Sequence, residues 1–193
     1  MRIEPKVLED RHVRLEPMTP AHREGLHAAC DADREVWTAL YPYSLDAAHF
    51  DAGWSRFYAE PGPDRINFAV MAGGQVMGVS SYLGVDPVNQ TLEIGGTYYH
   101  PDVRGGAVNP ASKRLMLAHA FDSGARRVQF KVDALNARSR AAVLKLGASL
   151  DGVLRQDRVT WTGRIRDTCV FSILADEWPA VRAGLDARLA RFG

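Results

Sequence analysis

The chain has 193 residues, 46% hydrophobic and 24% charged, a balance that suits one soluble globular domain with a sizeable core. Its 24 basic residues are nearly cancelled by 23 acidic ones, leaving +1, so nucleic-acid binding through bulk charge is not expected. Cys30 and Cys169 stand far apart and form no metal-ligand spacing with the six histidines. That usage points to a reducing, cytosolic compartment. The N-terminal stretch has no apolar signal region and no apolar run approaches the length of a membrane span, so neither is expected.

Val13 and Leu15 alternate within "RHVRLE" as in a short strand. Thr19-Pro20 is an N-cap and first-turn pair, predicting a helix toward Cys30. "YPYSLD" reads as a loop. Phe50, Trp54, Phe57 and Tyr58 recur at helical spacing from Asp46 to Ala59, a stripe for the core or a dimer contact. "RINFAVMAGGQVMGVSSYL" predicts a hairpin about Gly73-Gly74, and "TLEIGGTYY" is the next strand. A helix from Pro110 to near Asp122 follows, then the strand "RRVQFKV" and a helix from Ala137 to Leu146. Two strands around a Thr162-Gly163 turn precede a last helix from about Asp176, with Val181, Leu185 and Leu189 on one stripe. The order β-α-α-β-β-β-α-β-α-β-β-α predicts one mixed α/β domain over 1–193.

The joint "YYHPDVRGGAVNP" carries the first chemical signal. A helix N-terminus exposes unpaired N–H groups and a partial positive charge, and glycines before it let a ligand approach the backbone. Together these suit a phosphate or pyrophosphate. Arg104 adds a cation expected to be exposed. Asn109 is the expected N-cap and Pro110 the first helical residue. Lys113 falls in the first turn, where a cation is unfavourable unless an anion is near. Walker and Rossmann patterns are absent. An ordinary tight connection remains the alternative reading.

"FKVDALNARSRAAVLKLGAS" adds a second strand–turn–helix, with Asn136 at the N-cap and Ser139 three residues on. With both joints in view, the chain resembles the GNAT acyltransferase superfamily, most closely its RimJ/RimL-like branch, which acetylates protein N-termini and other amines. The resemblance is most specific from Leu92 to Leu154. It implies a central twisted mixed sheet of six to seven strands with a V-shaped splay, flanked by helices, and an acetyl-CoA-binding core at about 91–154. The family's loop pattern, Q/R-x-x-G-x-G/A, cradles the donor's pyrophosphate. "RGGAVN" places Arg104, Gly105 and Gly106 on its first three positions, with Ala107 where the family has glycine, then Val108, and Asn109 where it has Gly or Ala. The resemblance further implies that Gly95 and Gly96 form a bulge, that amides near Tyr98 and Tyr99 meet the thioester and pantetheine arm, and that Asn136 touches pantetheine.

Acyl transfer to an amine needs a neutral amine, a polarised thioester carbonyl and a proton for the leaving thiol. An α-amine of pKa ~8 is partly neutral at pH 7, whereas a lysine of pKa ~10.4 demands a stronger base. Glu93, on the strand face opposite Leu92 and Ile94, is the candidate base, with a solvated strand carboxylate as the alternative. Ser139 matches the branch's proton donor, or is simply a capping residue. Trp37, Tyr41 and Tyr43 fall where the family lines its acceptor pocket, though Trp37 also suits the core. The arginine-rich "RQDRVTWTGRIRD" reads as a solvated hairpin, or as a site for an acidic acceptor or the 3′-phosphate of CoA. The implied activity is direct transfer of an acetyl group from acetyl-CoA to a peptide N-terminus or small-molecule amine. A non-catalytic CoA-binding or ribosome-associated module and a drug-detoxifying acetyltransferase are the alternatives. No nucleic acid, membrane or metal is expected, and a homodimer is.

Overall fold

Alternation of apolar residues builds most of this molecule, whose computed structural model describes residues 1–193. Eight strands form one sheet in the order β1-β2-β3-β4-β5-β6-β8-β7. They are β1 (Leu8–Glu9), β2 (Arg14–Pro17), β3 (Ile66–Ala72), β4 (Gln75–Asp86), β5 (Thr91–Tyr99), β6 (Arg127–Asp133), β7 (Ser149–Val159) and β8 (Ile165–Leu174). Only β5 and β6 run parallel. The expected mixed sheet is present, with the two-residue β1 as an added edge. Helix α2 (Glu35–Leu40), in a segment with no strong cap, is a second element without a clear sequence signal.

The helices cover both faces. Helix α4 (Val108–Asp122), α5 (Ala137–Leu144) and α6 (Trp178–Leu189) bury the larger apolar cluster, to which Leu92, Ile94, Met116 and Leu117 belong. Val181, Leu185 and Leu189 point into it as their spacing requires. Helix α1 (Arg23–Asp31), α2 and α3 (Phe50–Trp54) close the opposite face around Leu26, Trp37, Phe50, Val79 and Tyr98. Phe50 and Trp54 are thus core residues of this chain. Helix α3 continues as a π-helical turn at Ser55–Ala59, which presents both Phe57 and Tyr58 toward the sheet.

One feature of the sheet positions the candidate site. β5 pairs with β6 only from Thr91 to Glu93, against Arg127 to Gln129. Beyond that point β6 stays paired with β8 through Asp133, while β5 stays paired with β4 through Tyr99. The two strands therefore part. The cause lies in β5, where Gly95 opposes Ser81 but Tyr98 opposes Val79, so two residues face the single Ser80. This is a β-bulge, as the glycine pair predicts, and Gly96 takes a left-handed φ of 57° there.

Gly96→Ala is expected to cost about 1–2 kcal/mol in urea unfolding, the strain of an L-residue in that conformation. An added Cβ would meet nothing closer than 3.6 Å, so strain is the whole effect. Unchanged stability would mean the bulge relaxes without the left-handed residue.

Candidate active site

The parted strands expose a row of backbone groups on β5. His100 N–H donates to Met77 O across to β4, so by alternation Tyr98 faces β4 while Thr97 and Tyr99 face the gap. Their carbonyls are held by side chains. Tyr41 Oη donates to Thr97 O at 2.6 Å, and Arg104 Nε donates to Tyr99 O at 2.8 Å. The N–H of a strand residue lies on the same side as its C=O, so the Thr97 and Tyr99 amides face the gap too. The expected pair, Tyr98 and Tyr99, shifts by one residue at Tyr98. The Tyr98 side chain is spent on packing: its hydroxyl donates to Ala29 O at 2.8 Å and its ring stacks on Trp37.

Helix α4 begins at Val108, two residues before Pro110, and Ala107 occupies its N-cap with no side-chain hydrogen bond. Asn109 is therefore inside the first turn and not the cap. Gly105, at φ 81°, turns the chain into the helix with open space around it. The result is a helix start whose amides no side chain of the protein satisfies, next to an open glycine. It fits an anionic group better than a capped terminus would.

Two expected anion contacts are otherwise engaged. Arg104 is not a free surface cation: Nη1 pairs with Asp33 Oδ2 at 2.5 Å and the guanidinium lies over the Tyr98 ring. It ties the β5 exit to the loop after α1. Lys113 points away from the helix start and into the sheet. Only 6% exposed, its Nζ donates to Ser80 Oγ at 2.9 Å and Thr97 Oγ1 at 2.7 Å, with no carboxylate beside it. Burial pushes its ammonium down to about 7. Its spacing with Met116, Leu117 and Ala120 marks it as a residue of the buried stripe, a signal that charge alone obscures.

Glu93 sits at the vertex where β5 and β6 part. Its carboxylate curls over Gly95, where a Cβ would collide with it. Lys131 Nζ lies 3.4 Å away on β6. Burial raises the carboxyl above the usual range, and Lys131 opposes that rise only in part. Across the gap, Asn136 caps α5 by accepting from the Ser139 amide at 2.9 Å, as its spacing predicts. Its amide nitrogen remains a donor, and the half-buried Ser139 stands one turn inside.

On the other rim, Trp37 is fully buried and donates to Cys30 O, so it is core and not a pocket wall. Tyr41 and Tyr43 remain at the gap. The β7–β8 hairpin tip reaches over to the same loop: Trp161 N–H donates to Pro42 O at 3.2 Å and its indole to Trp37 O at 3.0 Å. The arginine-rich hairpin is thus tied down. Arg164 pairs with the buried Asp133 at 2.5 Å, Arg166 lies 3.8 Å from it, and Arg158 pairs with Asp157. Asp133 therefore orients Arg164, just before β8, and Arg166 within it, not Arg138 or Arg140. Both cysteines are buried, and burial raises the Cys30 thiol far above its ordinary value, which argues against a cysteine nucleophile. No group of three or more His, Cys, Asp or Glu is placed to hold a metal ion.

The buried Lys113 yields a pH prediction. The folded protein holds it neutral above about pH 7, whereas an unfolded chain keeps it protonated up to 10.5. Its burden is therefore full below pH 7 and fades as pH rises to 10.5. Lys113→Met is expected to gain most over wild type near pH 6.5, with the gap closing by up to about 1.4 kcal/mol per pH unit above 7. Paired denaturant titrations from pH 6 to 10 check this, and a pH-independent gap would contradict it.

No curated protein matches the sequence. The model of the "Acetyltransferase (GNAT) domain" matches residues 12–149. A GCN5-related N-acetyltransferase from Brucella melitensis superposes with a TM-score of 0.88 at 31% identity, over 96% of this chain and 86% of that one. Mycobacterium smegmatis RimJ, solved with CoA-disulfide, shares the fold at 20% identity and TM-score 0.82, over 95% of each chain. So does a Salmonella typhimurium acetyl transferase that modifies the N-terminal serine of ribosomal protein L7/L12, at 16% identity and TM-score 0.74, over 88% of this chain and 99% of that one. With a family model matched over most of its length, the chain belongs to the GNAT family as an N-acetyltransferase.

Proposed function

We propose that this chain acts as one catalytic unit over residues 1–193 and acetylates a low-pKa primary amine, a peptide N-terminus or a small-molecule amine, in the manner of the RimJ/RimL branch. GNAT acetyltransferases use acetyl-CoA, which supplies the acetyl group as an activated thioester. The observation that carries the reading is the placement of Glu93. A carboxyl raised by burial sits at the vertex of the parted strands, on the same strand whose Thr97 and Tyr99 amides face the gap. A carboxyl raised toward neutrality is a better base for an amine than a solvated one.

Residues 91–154 hold the donor in this reading. The uncapped start of α4, with Gly105, Gly106, Ala107, Val108 and Asn109, receives its phosphates. The gap-facing amides of Thr97 and Tyr99 and the free amide nitrogen of Asn136 line its arm. Arg104 supports the loop through Asp33 and Tyr99. Glu93 takes the proton of the incoming ammonium at its carboxylate, directly or through one water. Ser139 Oγ holds the proton that the departing thiol needs. Tyr41 and Tyr43 border the acceptor side. A lysine acceptor would require about 4.6 kcal/mol to deprotonate at pH 7 and an α-amine about 1 kcal/mol, and one carboxylate suits the second task. The fold shared with RimJ and RimL supports the N-terminal acceptor.

Glu93→Gln is expected to lower turnover about 10²-fold at neutral pH while leaving acetyl-CoA affinity unchanged. The deficit is expected to shrink once pH passes the amine's own pKa, near 8 for an α-amine and near 10 for a lysine. Initial rates across pH 6 to 10.5 read both. Turnover within a factor of about two of wild type at pH 7 would place the base elsewhere.

A further inference from the structure

We propose that the guanidinium of Arg65, with the Tyr43 hydroxyl beside it, is a carboxylate-binding corner on the acceptor side of the sheet. The acceptor is then an amine with a carboxylate on the same residue. This rests on the acyl-transfer reading and names the acceptor chemistry that it leaves open.

Arg65 stands just before β3, and its head is fixed from two directions. Its Nε donates to Asn67 Oδ1 at 2.7 Å. Asn67 is only 4% exposed, accepts from Ser81 Oγ at 2.7 Å and donates to Phe57 O at 2.8 Å. The guanidinium carbon lies 5.0 Å from the centre of the Phe57 ring and 5.6 Å from that of Tyr58. The π-helical turn sets both rings there. An arginine locked in this way has lost the entropy that a ligand contact would otherwise cost.

Its outer nitrogen nevertheless has no partner. Arg65 Nη2 is buried without a hydrogen bond, and Arg65 enters none of the ion pairs of the protein. Tyr58 Oη is buried without a partner as well. Arginine does not escape by losing its proton, so a buried, unpaired guanidinium N–H is a standing cost. Ordinary packing would pair it. Nη2 and Tyr43 Oη each lie 3.6 Å from where a Cβ at Gly96 would stand. Two donors of this kind, one charged and planar, suit a carboxylate.

Position sets the length of the ligand. The corner stands over Gly96, and the Glu93 carboxylate curls over Gly95, the preceding residue of the same strand. Consecutive Cα atoms are about 3.8 Å apart. An amine at Glu93 and an anion at Arg65 are therefore separated by a few bonds. Glu93 itself is taken by Lys131 and does not pair with Arg65. The corner also stands on the face of the sheet that α3 covers, whereas α4, whose start receives the donor's phosphates in the proposed reading, covers the opposite face. The matching class is an α-amino acid, or a peptide whose first residue is Asp or Glu.

The test pairs each acceptor with its neutral twin. Small, aromatic and acidic L-amino acids are compared with their amides, and amidated peptides starting with Asp are compared with those starting with Asn. All are assayed with acetyl-CoA. Wild type is expected to favour at least one carboxylate set about 10-fold or more, through KM and not kcat. The free amino acids winning identifies a small-molecule acceptor, and the Asp peptides winning identifies a protein N-terminus. Arg65→Gln is expected to erase that preference and to leave kcat/KM for the neutral twins within about threefold. Arg65→Lys, which keeps the charge without the fork, covers the case in which the glutamine variant fails to fold, and is expected to lose most of the preference. No preference in wild type, or an equal loss on every acceptor in the variants, would overturn the proposal. Calorimetric titration with the N-acetyl amino acids and their amides reads the corner without turnover. Carboxylate-dependent binding lost in Arg65→Gln would support it even if Glu93 were not the base, and its absence would overturn it even if amines are acetylated.

Discussion

The structure depends on one departure from regular pairing: β5 leaves β6 after Glu93. A sheet interior normally satisfies every backbone group on both sides of each strand. Here the bulge at Gly96-Thr97 accompanies the loss of one side of β5 from that arrangement, and the protein must account for the groups that are freed. Tyr41 and Arg104 take two carbonyls. In the proposed reading the amides beside them receive a ligand that presents acceptors. A cleft made of backbone is insensitive to side-chain drift, which explains how a loop reading "RGGAVN" can stand at the same joint as the family pattern.

Burial then gives the charges around that fork unlike roles. Asp133 is buried but satisfied by Arg164 and Arg166 and the Leu135 amide, so it anchors the end of β6. Lys113 is buried beside hydroxyls alone, and although its burial is a cost, its hydrogen bonds to Ser80 and Thr97 pin α4 to the bulge. Glu93 is mostly buried with one cation on one side, which leaves its carboxyl raised. Arg65 is partly buried, with Nη2 covered and without a partner. Three of these four groups carry a cost of burial that packing alone does not repay, and all of them converge on the bulge from one face or the other.

Much of this was legible in the sequence where the signal is local. The glycine pair marks the bulge, the Asn136–Ser139 spacing marks the α5 cap, and strand alternation turns Glu93 away from the apolar face. The less visible features are tertiary. Asn109 and Pro110 make a strong capping signal, yet the turn at Gly105 lets the helix start at Val108, because Pro110 is also tolerated two residues inside a helix start. Arg104 looks free until Asp33, 71 residues away, is folded against it. Trp161 in an arginine-rich hairpin gives no hint that its indole bridges to Trp37, 124 residues distant. Arg65 has no motif at all, and only the Asn67–Ser81–Phe57 contacts reveal that it is held in place.

In the proposed reading the parted edge of β5 and the uncapped start of α4 together hold the acyl donor. Backbone amide shifts on addition of acetyl-CoA, read by heteronuclear NMR on the full chain, test it most directly. The largest changes are expected at Thr97, Tyr99 and the amides from Gly105 to Asn109. Shifts concentrated on the arginines of the β7–β8 hairpin, with Thr97 and Tyr99 unmoved, would contradict it.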